Sequence, residues 1–352
     1  AVILVWSQVR AAESWTQAAR GAVAGTVGMV PQGLVLLISV ALAVGVARLA
    51  RMHVLTQELA AVEGLARVDT VCLDKTGTIT EGRLQVREVI PLGTDPIDDP
   101  LAAVAHAEPD PNATLRALAD AFPDPPAWVT LTTVAFRSDR RWSGAEFAGQ
   151  ATWILGAPDR LGVPDERTRQ LVSEATRSGY RVVLLSRSGE RLDHELPAHL
   201  EPQALIVIGD AVRSDAERTV AYFAEQGVGL KVISGDHPGT VGAIAREAGI
   251  DGEVTSGGDL PDNPEELADI AERTAVFGRV APEQKRALIH ALQLRGHVVA
   301  MIGDGVNDVL ALKSADVGIA MGSGSSAARA VAPLILVVGR FSCVPHIVAE
   351  GR

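Results

Sequence analysis

Two stretches far apart in the chain carry carboxylates where an apolar run stops. Val71-Cys72-Leu73 runs into Asp74-Lys75-Thr76-Gly77-Thr78-Ile79-Thr80, and Met301-Ile302-Gly303 runs into Asp304-Gly305-Val306-Asn307-Asp308. An apolar run ending at a carboxylate and glycine reads as a buried strand that opens into a polar loop. In an open α/β sheet, ligands bind outside the carboxyl ends of the strands. Asp74, Asp304 and Asp308 are therefore expected to meet at one crevice. Three carboxylates at one place repel each other without a cation, which implies Mg²⁺. Asp is already ionised at neutral pH, so Asp74 is a candidate nucleophile.

Two further motifs have the chemistry of an anion site. Ile233-Ser234-Gly235-Asp236 follows a predicted strand and opens a predicted helix. The Ser234 hydroxyl can bond an anionic oxygen, and a helix N-terminus attracts anions; the alternative is an ordinary helix cap. Val280-Ala281-Pro282-Glu283-Gln284-Lys285 puts Lys285 in the first turn of a helix, against the helix dipole. That placement makes sense if Lys285 reaches an anion; the alternative is a solvated surface lysine.

The elements that must hold these residues form an alternating pattern. Leu49 to Leu65 reads as a helix, Val68 to Leu73 as the first strand and Leu84 to Pro91 as a short one. Residues 92–202 change character, rich in Pro, Asp and Ala, with short strands at Ala151 to Leu155 and Arg181 to Arg187. From Gln203 on, predicted strands (Ala204 to Ile208, Leu230 to Ile233, Ala275 to Phe277, His297 to Ile302, Val317 to Ala320, Leu334 to Val338) alternate with helices. Those helices are Ser214 to Gln226, with Ser214 as N-cap, His237 to Ala248, and Pro282 to Leu294 with proline at its start. The pattern predicts an α/β protein with a doubly wound parallel sheet, split by an inserted domain.

The chain has 352 residues, enough for two or three domains, and its net charge of −11 argues against a nucleic-acid surface. Cys72 and Cys343 lie far apart and suggest no disulfide framework. Gly21 to Ala47 is a stretch of 27 residues without a charge, long enough to cross a bilayer; the alternative is a buried helix of a soluble domain. Ala1 to Trp6 is apolar but too short to span, and resembles the end of a preceding span. Arg10 and Arg20 on one side balance Arg48 and Arg51 on the other, so basic residues do not orient the helix. Inside the span, Pro31 removes a backbone donor and Gly33 loosens the helix further. Carbonyls freed there can bind a cation, Val30 among them; the alternative is a simple kink.

The stretch from Leu73 to Glu81 resembles the phosphorylation signature of the P-type ATPases, within the haloacid dehalogenase superfamily. The resemblance covers the chain from about Ala22 to Arg352. It implies a Rossmann-like phosphorylation domain carrying an α+β nucleotide-binding insert and preceded by a transmembrane helix. The expected organisation is residues 1–20 as the end of a span and a loop, 21–48 as the transmembrane helix, and 49–91 as stalk and first part of the phosphorylation domain. Residues 92–202 are then the nucleotide-binding domain, 203–338 the second part of the phosphorylation domain, and 339–352 the approach to another membrane helix.

The resemblance also implies roles. Asp74 takes the γ-phosphate of ATP, and Thr76 helps hold metal and phosphate. Lys75 is either a phosphate contact or a loop charge. Ser234 with Gly235 and Asp236 faces the phosphoryl group, and Lys285 contacts the phosphorylated Asp. Asp304 is a direct Mg²⁺ ligand, supported by Asn307 and Asp308. Asp210-Ala211-Val212-Arg213 resembles a hinge in which Asp210 and Arg213 touch nucleotide, although Ala211 replaces a proline; the alternative is loop chemistry. Phe136 to Gly144 resembles the adenine-binding stretch, with Phe136 stacking on the base and Arg141 near the nucleotide; the alternative for Phe136 is core. Leu155-Gly156-Ala157-Pro158-Asp159 resembles another nucleotide contact at Gly156, with leucine in place of lysine. Pro31 resembles the proline of the fourth membrane helix, where Gln32 replaces a glutamate common in cation pumps.

The expectation is ATP-driven cation transport through an aspartyl phosphate, with ATP, a lipid bilayer, a transported cation and the remainder of a pump as partners. Met29 to Leu34 resembles calcium-type pumps, which makes calcium the first guess for cargo. The catalytic domains are expected in the cytosol. No actuator domain or later membrane helix is present, so the chain reads as a fragment of a longer pump or an incomplete gene product. Two alternatives are a haloacid dehalogenase-type phosphohydrolase and a non-catalytic membrane remnant. Thr76 argues against the first, because such phosphatases carry a second Asp there. The intact set of Asp74, Lys285, Asp304 and Asp308 argues against the second. Neither a Walker loop nor a dinucleotide fingerprint occurs.

Overall fold

The computed structural model describes residues 32–338 together with residues 16, 20, 343 and 344. Val30 and Pro31, most of the segment 1–31, and most of 339–352 lie outside the described residues. The chain divides into two units, Ala1–Met52 and His53–Arg352.

The described part of the first unit is essentially one helix, Gln32–Arg51. It is built of Leu, Val, Ile, Ala and Gly, and its basic residues Arg48 and Arg51 fall in the last turn, where the helix dipole favours cations. Over Gly33–Arg51 it is long and apolar enough to cross a membrane. Leu36 and Leu37 are 65% and 68% exposed, a surface that water does not favour. The helix runs past the expected end at residue 48.

The expected helix from Leu49 to Leu65 is interrupted. Met52 and His53 turn, His53 with a φ of 60°, and β1 (Val54–Thr56) follows before a separate short helix, Leu59–Leu65. β1 pairs antiparallel with β14 (Leu334–Leu336), Val54 facing Leu336 and Thr56 facing Leu334. The hydrogen bonds offered by that open sheet edge outweigh the weak helix preference of Val54 and Thr56.

The second unit holds two sheets. The first contains β2 (Thr70–Leu73), β9 (Gly229–Ile233), β10 (Glu253–Ser256), β11 (Thr274–Gly278), β12 (Val299–Gly303) and β13 (Val317–Met321), besides β1 and β14. Its order is β1-β14-β13-β12-β2-β9-β11-β10, parallel throughout except for β1. From β2 the chain builds outward through β9 on one side; it then returns to lay β12 on the other. The switch in strand order falls beside β2, where a crevice forms at the carboxyl ends. Cys72, Ile233, Phe277, Leu288 and Met301 join the buried core on this sheet.

The second sheet is antiparallel, in the order β3-β8-β7-β6-β5-β4. Its strands are β3 (Thr80–Pro91), β4 (Thr130–Val134), β5 (Trp142–Phe147), β6 (Thr152–Gly156), β7 (Arg181–Ser188) and β8 (Glu201–Val212). Its sheet thus draws on strands outside residues 92–202. The helices Asp98–Ala107 and Ala113–Ala121 pack on one face through Leu101, Leu115 and Leu118. Leu171 and Val172 of Glu166–Arg177 pack with the cluster on the other.

Ala204 to Ile208 therefore does not begin the parallel sheet. It lies inside β8, between β3 and β7. A fully buried apolar run looks alike in a parallel core and in the middle of an antiparallel sheet. Ser214 is not the cap of the next helix, Ala216–Glu225; Asp215 holds that position without a side-chain cap. Strand β10 and the helix Pro264–Arg273 were not expected.

Candidate active site

Asp74 follows β2 directly, and its N–H donates to the Ile302 carbonyl of β12 at 2.8 Å. Leu73 and Ile302 are register partners, so Asp74 and Asp304 leave neighbouring strands side by side. Asp308 lies on the short turn after β12, where its Oδ2 accepts from the Gly305 N–H at 3.0 Å. Carboxylate oxygens of Asp74, Asp304 and Asp308 lie within 4.8 Å of one another. The crevice they line has a volume of about 290 Å³ and also takes in Thr76, Ser234, Gly235, Asp236, Lys285 and Asn307.

Lys285 comes from the helix Pro282–Leu294, whose start is fixed by Pro282 and by Gln284 Oε1 accepting from the Ala281 N–H at 3.0 Å. Its ammonium reaches Asp74 Oδ1 at 2.5 Å and Asp308 Oδ1 at 2.6 Å. It is buried, not a surface lysine. Burial opposes its charge, but Asp74 and Asp308 more than compensate and raise its pKa above the ordinary lysine value. Asp74 is buried as well; desolvation pushes its pKa up, Lys285 works against that, and Asp308 and Asp304 add to it. Asp304 is raised by burial and by Asp308. One ammonium among three carboxylates leaves negative charge uncompensated.

The second Asp74 oxygen accepts from the Thr76 N–H at 2.9 Å. Gly77 makes the loop possible. Its φ is +68°, and a Cβ there would fall 1.9 Å from Asp304 Oδ2. Arg213 holds the same loop from behind, donating to the carbonyls of Thr78 at 2.8 Å and Gly77 at 2.9 Å. Ser234 is buried at the end of β9, anchored by its N–H to the Phe277 carbonyl at 2.9 Å, and its hydroxyl accepts from the Asp236 N–H at 3.2 Å. The following helix is capped by His237, so Ser234 does not serve as its N-cap.

Lys75 is not part of the crevice lining, although its partner Asp236 is. Lys75 is 1% exposed, and its amine is held by Asp236 Oδ2 at 2.5 Å and by Asp210 of β8. Burial opposes its charge and the two carboxylates outweigh that, raising its pKa. Asp210 is thus engaged with Lys75, and Arg213 with backbone carbonyls. Neither is among the residues that line the crevice.

Phe136, Arg141 and Gly156 meet at a different place, a cavity of about 490 Å³ in the second sheet. Phe136 is 45% exposed and is not a core residue. Arg141, with a φ of 63°, forms a two-pronged ion pair with Asp159 at 2.7 and 2.9 Å. At Gly156 a Cβ would lie 2.7 Å from the Trp142 Cβ, so only glycine allows this approach of β5 and β6. Leu155 lines the cavity as a buried apolar wall. Arg181, at the start of β7, also lines it and donates to Thr114 Oγ1 at 3.1 Å. Sequence reading passed over Arg181; a lone arginine leading a buried strand was the available signal.

The donor set fits magnesium. Asp74, Asp304 and Asp308 offer converging hard oxygen ligands and excess negative charge, which suits a hard divalent cation. Among the described residues, Cys72 gives no competing soft site at the crevice: it is buried in β2 and its thiol is pushed up to about 12 by desolvation.

Comparison with known proteins agrees with this geometry. Residues 68–316 match the haloacid dehalogenase-like hydrolase family. The calcium-transporting ATPase CtpE of Mycobacterium bovis is 49% identical over 343 residues, covering 96% of this chain and 43% of that protein. The probable cation-transporting ATPase exp7 of Streptococcus pneumoniae is 42% identical over 336 residues, covering 92% and 42%. The chain spans less than half the length of these relatives. The crystal structure of a zinc-transporting PIB-type ATPase in the E2.Pi state superposes with a TM-score of 0.69 at 25% identity, covering 89% of this chain and 45% of that one. The chain belongs to the haloacid dehalogenase-like hydrolases, and within them it corresponds to part of a P-type ATPase.

Proposed function

We propose that the chain is the catalytic part of an ATP-driven cation pump, and that Asp74 is phosphorylated in each cycle. The observation that carries this reading is the Asp74 carboxylate, fixed at the end of β2 by Lys285 and the Thr76 N–H in a crevice shared with Asp304 and Asp308. An Asp74 oxygen attacks the γ-phosphorus of ATP. The new O–P bond forms as the bond to the β–γ bridging oxygen breaks, and ADP leaves with that electron pair. Lys285 holds the attacking carboxylate in place and stays charged beside the phosphoryl group. Ser234 offers a hydroxyl to a phosphoryl oxygen, with Gly235 and Asn307 lining the same crevice. Asp74, Asp304 and Asp308, with Thr76, would hold Mg²⁺, which supplies charge neutralisation for the phosphoryl oxygens.

The nucleotide base is assigned to the cavity of the second sheet, against Phe136, with Gly156 allowing close approach and Arg141 and Arg181 supplying positive charge. Residues 92–202 serve as the nucleotide-binding domain, and 49–91 with 203–338 as the phosphorylation domain. The apolar helix crosses the membrane, with Val30, Pro31 and Gln32 on the ion path and the catalytic domains in the cytosol. Calcium is the proposed cargo, supported by the name of the CtpE relatives. Thr76 in place of a second Asp disfavours a simple phosphohydrolase.

The test is labelling with γ-³²P ATP and magnesium. The protein should give a hydroxylamine-sensitive phosphoprotein, and Asp74→Asn should give none. Label persisting in that variant at the parental level refutes the assignment.

A further inference from the structure

The cavity beside Phe136 contains a polar group that the fold does not use. Ser143 lies in β5, is 3% exposed, and lines the cavity. Its hydroxyl takes part in none of the described hydrogen bonds. The other polar side chains of the cavity each have at least one described partner. Asn112 Oδ1 accepts from the N–H groups of Thr114 and Leu115. Thr114 Oγ1 accepts from Arg181 at 3.1 Å, and Arg141 is paired with Asp159. Ser143 lines the cavity, so a ligand there meets a hydroxyl whose hydrogen-bonding capacity the fold leaves free.

The period of the strand fixes where Ser143 points. Side chains in β5 alternate between faces. Trp142 belongs to the cluster on one face, with Leu184 and Leu205. Ala145 and Phe147 belong to the other, with Leu155 and Leu185. Ser143 shares the face of Ala145 and Phe147, the face covered by the helix Ala113–Ala121. Its register partner across the sheet is Leu155. The cavity wall therefore sets the Ser143 hydroxyl directly beside a buried leucine, with the exposed Phe136 also lining the cavity. An apolar wall with a hydroxyl free to bond a ligand suits a flat heteroaromatic ring that presents a hydrogen-bonding edge.

We infer that Ser143 is a specificity-determining residue of the nucleotide site and that its hydroxyl hydrogen-bonds the edge of the base. The inference rests on the reading that the base of ATP occupies this cavity. It assigns Ser143 to the base and Arg181 to the phosphate side, so the two respond differently to the number of phosphates. Losing one hydrogen bond to the base should weaken binding roughly three- to tenfold.

Calorimetric titration of the full chain with ADP and with a non-hydrolysable ATP analogue tests this. Ser143→Ala should lower affinity for both nucleotides by the same factor, three- to tenfold, with the unfolding midpoint kept. Arg181→Ala should lower the two affinities by unequal factors. Unchanged affinity in Ser143→Ala while Phe136→Ala binds more weakly overturns the role of Ser143 and leaves the nucleotide reading standing. Unchanged affinity in Ser143→Ala, Phe136→Ala and Arg181→Ala together overturns both. A loss in Ser143→Ala confined to the ATP analogue also overturns the inference, because it places the hydroxyl on the terminal phosphate.

Discussion

The ammonium of Lys75 lies 2.5 Å from the carboxylate of Asp236, a residue of the crevice wall, while Lys75 itself is buried and does not line the crevice. With Asp210 it ties the loop after β2 to the strand that returns from the second sheet. Lys75→Met keeps the length of the side chain and leaves two carboxylates facing each other. Removing one partner of a buried pair costs about 3–5 kcal/mol. Asp236 is half exposed, so roughly 1–3 kcal/mol is expected here, read as a lower thermal midpoint. Affinity for nucleotide should stay within about twofold. A variant of normal stability that needs far more ATP for phosphorylation would return Lys75 to the phosphate.

Lys285 has the opposite position, between Asp74 and Asp308 at the crevice itself. Its removal should slow phosphorylation of Asp74 on the order of 100-fold or more, since it is the ammonium that contacts the nucleophile. The same change leaves three carboxylates without their lysine and makes the crevice more negative. Lys285→Ala should therefore reach half-maximal magnesium binding at a lower concentration, even as the phosphorylation rate falls. Weaker magnesium binding in Lys285→Ala would contradict this account of the charge.

At Gly77 two constraints coincide. A left-handed φ of +68° disfavours any side chain, and a Cβ would overlap Asp304 Oδ2. The conformational strain alone is about 1–3 kcal/mol. Relief of the overlap must move Asp304 or the loop, and small displacements of catalytic groups cost about 100-fold in rate. Gly77→Ala should lose phosphorylation by at least that factor while nucleotide binding persists. Gly82→Ala is the control: it has a comparable φ of +72° with open space around its Cβ, so it should lose stability but retain phosphorylation.

Asp74, Asp304 and Ser234 were legible because each sits where an apolar run ends. Asp74 and Asp304 follow strands whose interiors are fully buried, and in each the apolar run stops at a carboxylate followed closely by glycine. Lys285 was legible from its awkward place in the first helical turn. The direction of Lys75 was not, because its partner Asp210 lies 135 residues away. β1 and β8 were misread for the same reason: their pairing depends on distant edges, not on local pattern. The helix Pro264–Arg273 had a readable start, for Asn263 caps it through the N–H groups of Glu265 and Glu266 and Pro264 stands at its first position.

His297 gives the second unit a pH-dependent tie. Its Nδ1 lies 2.9 Å from Asp69 and its Nε2 2.9 Å from Glu272, the charged groups that face it. Partial burial opposes its charge, but hydrogen bonds to Asp69 and Glu272 outweigh this and raise its pKa above 6.5. A histidine whose pKa is higher in the folded state favours folding when protonated. The contribution is complete below the unfolded value and disappears as pH rises through the folded one. His297 is about a third exposed, so the effect should stay under about 1 kcal/mol. His297→Gln removes it. The thermal midpoint of the variant should fall below that of the parent by about 1–3 °C at pH 5.5. That gap should close as pH rises above the folded pKa, and it should shrink in high salt. A gap that widens with rising pH would mean that neutral His297 is the form the fold prefers.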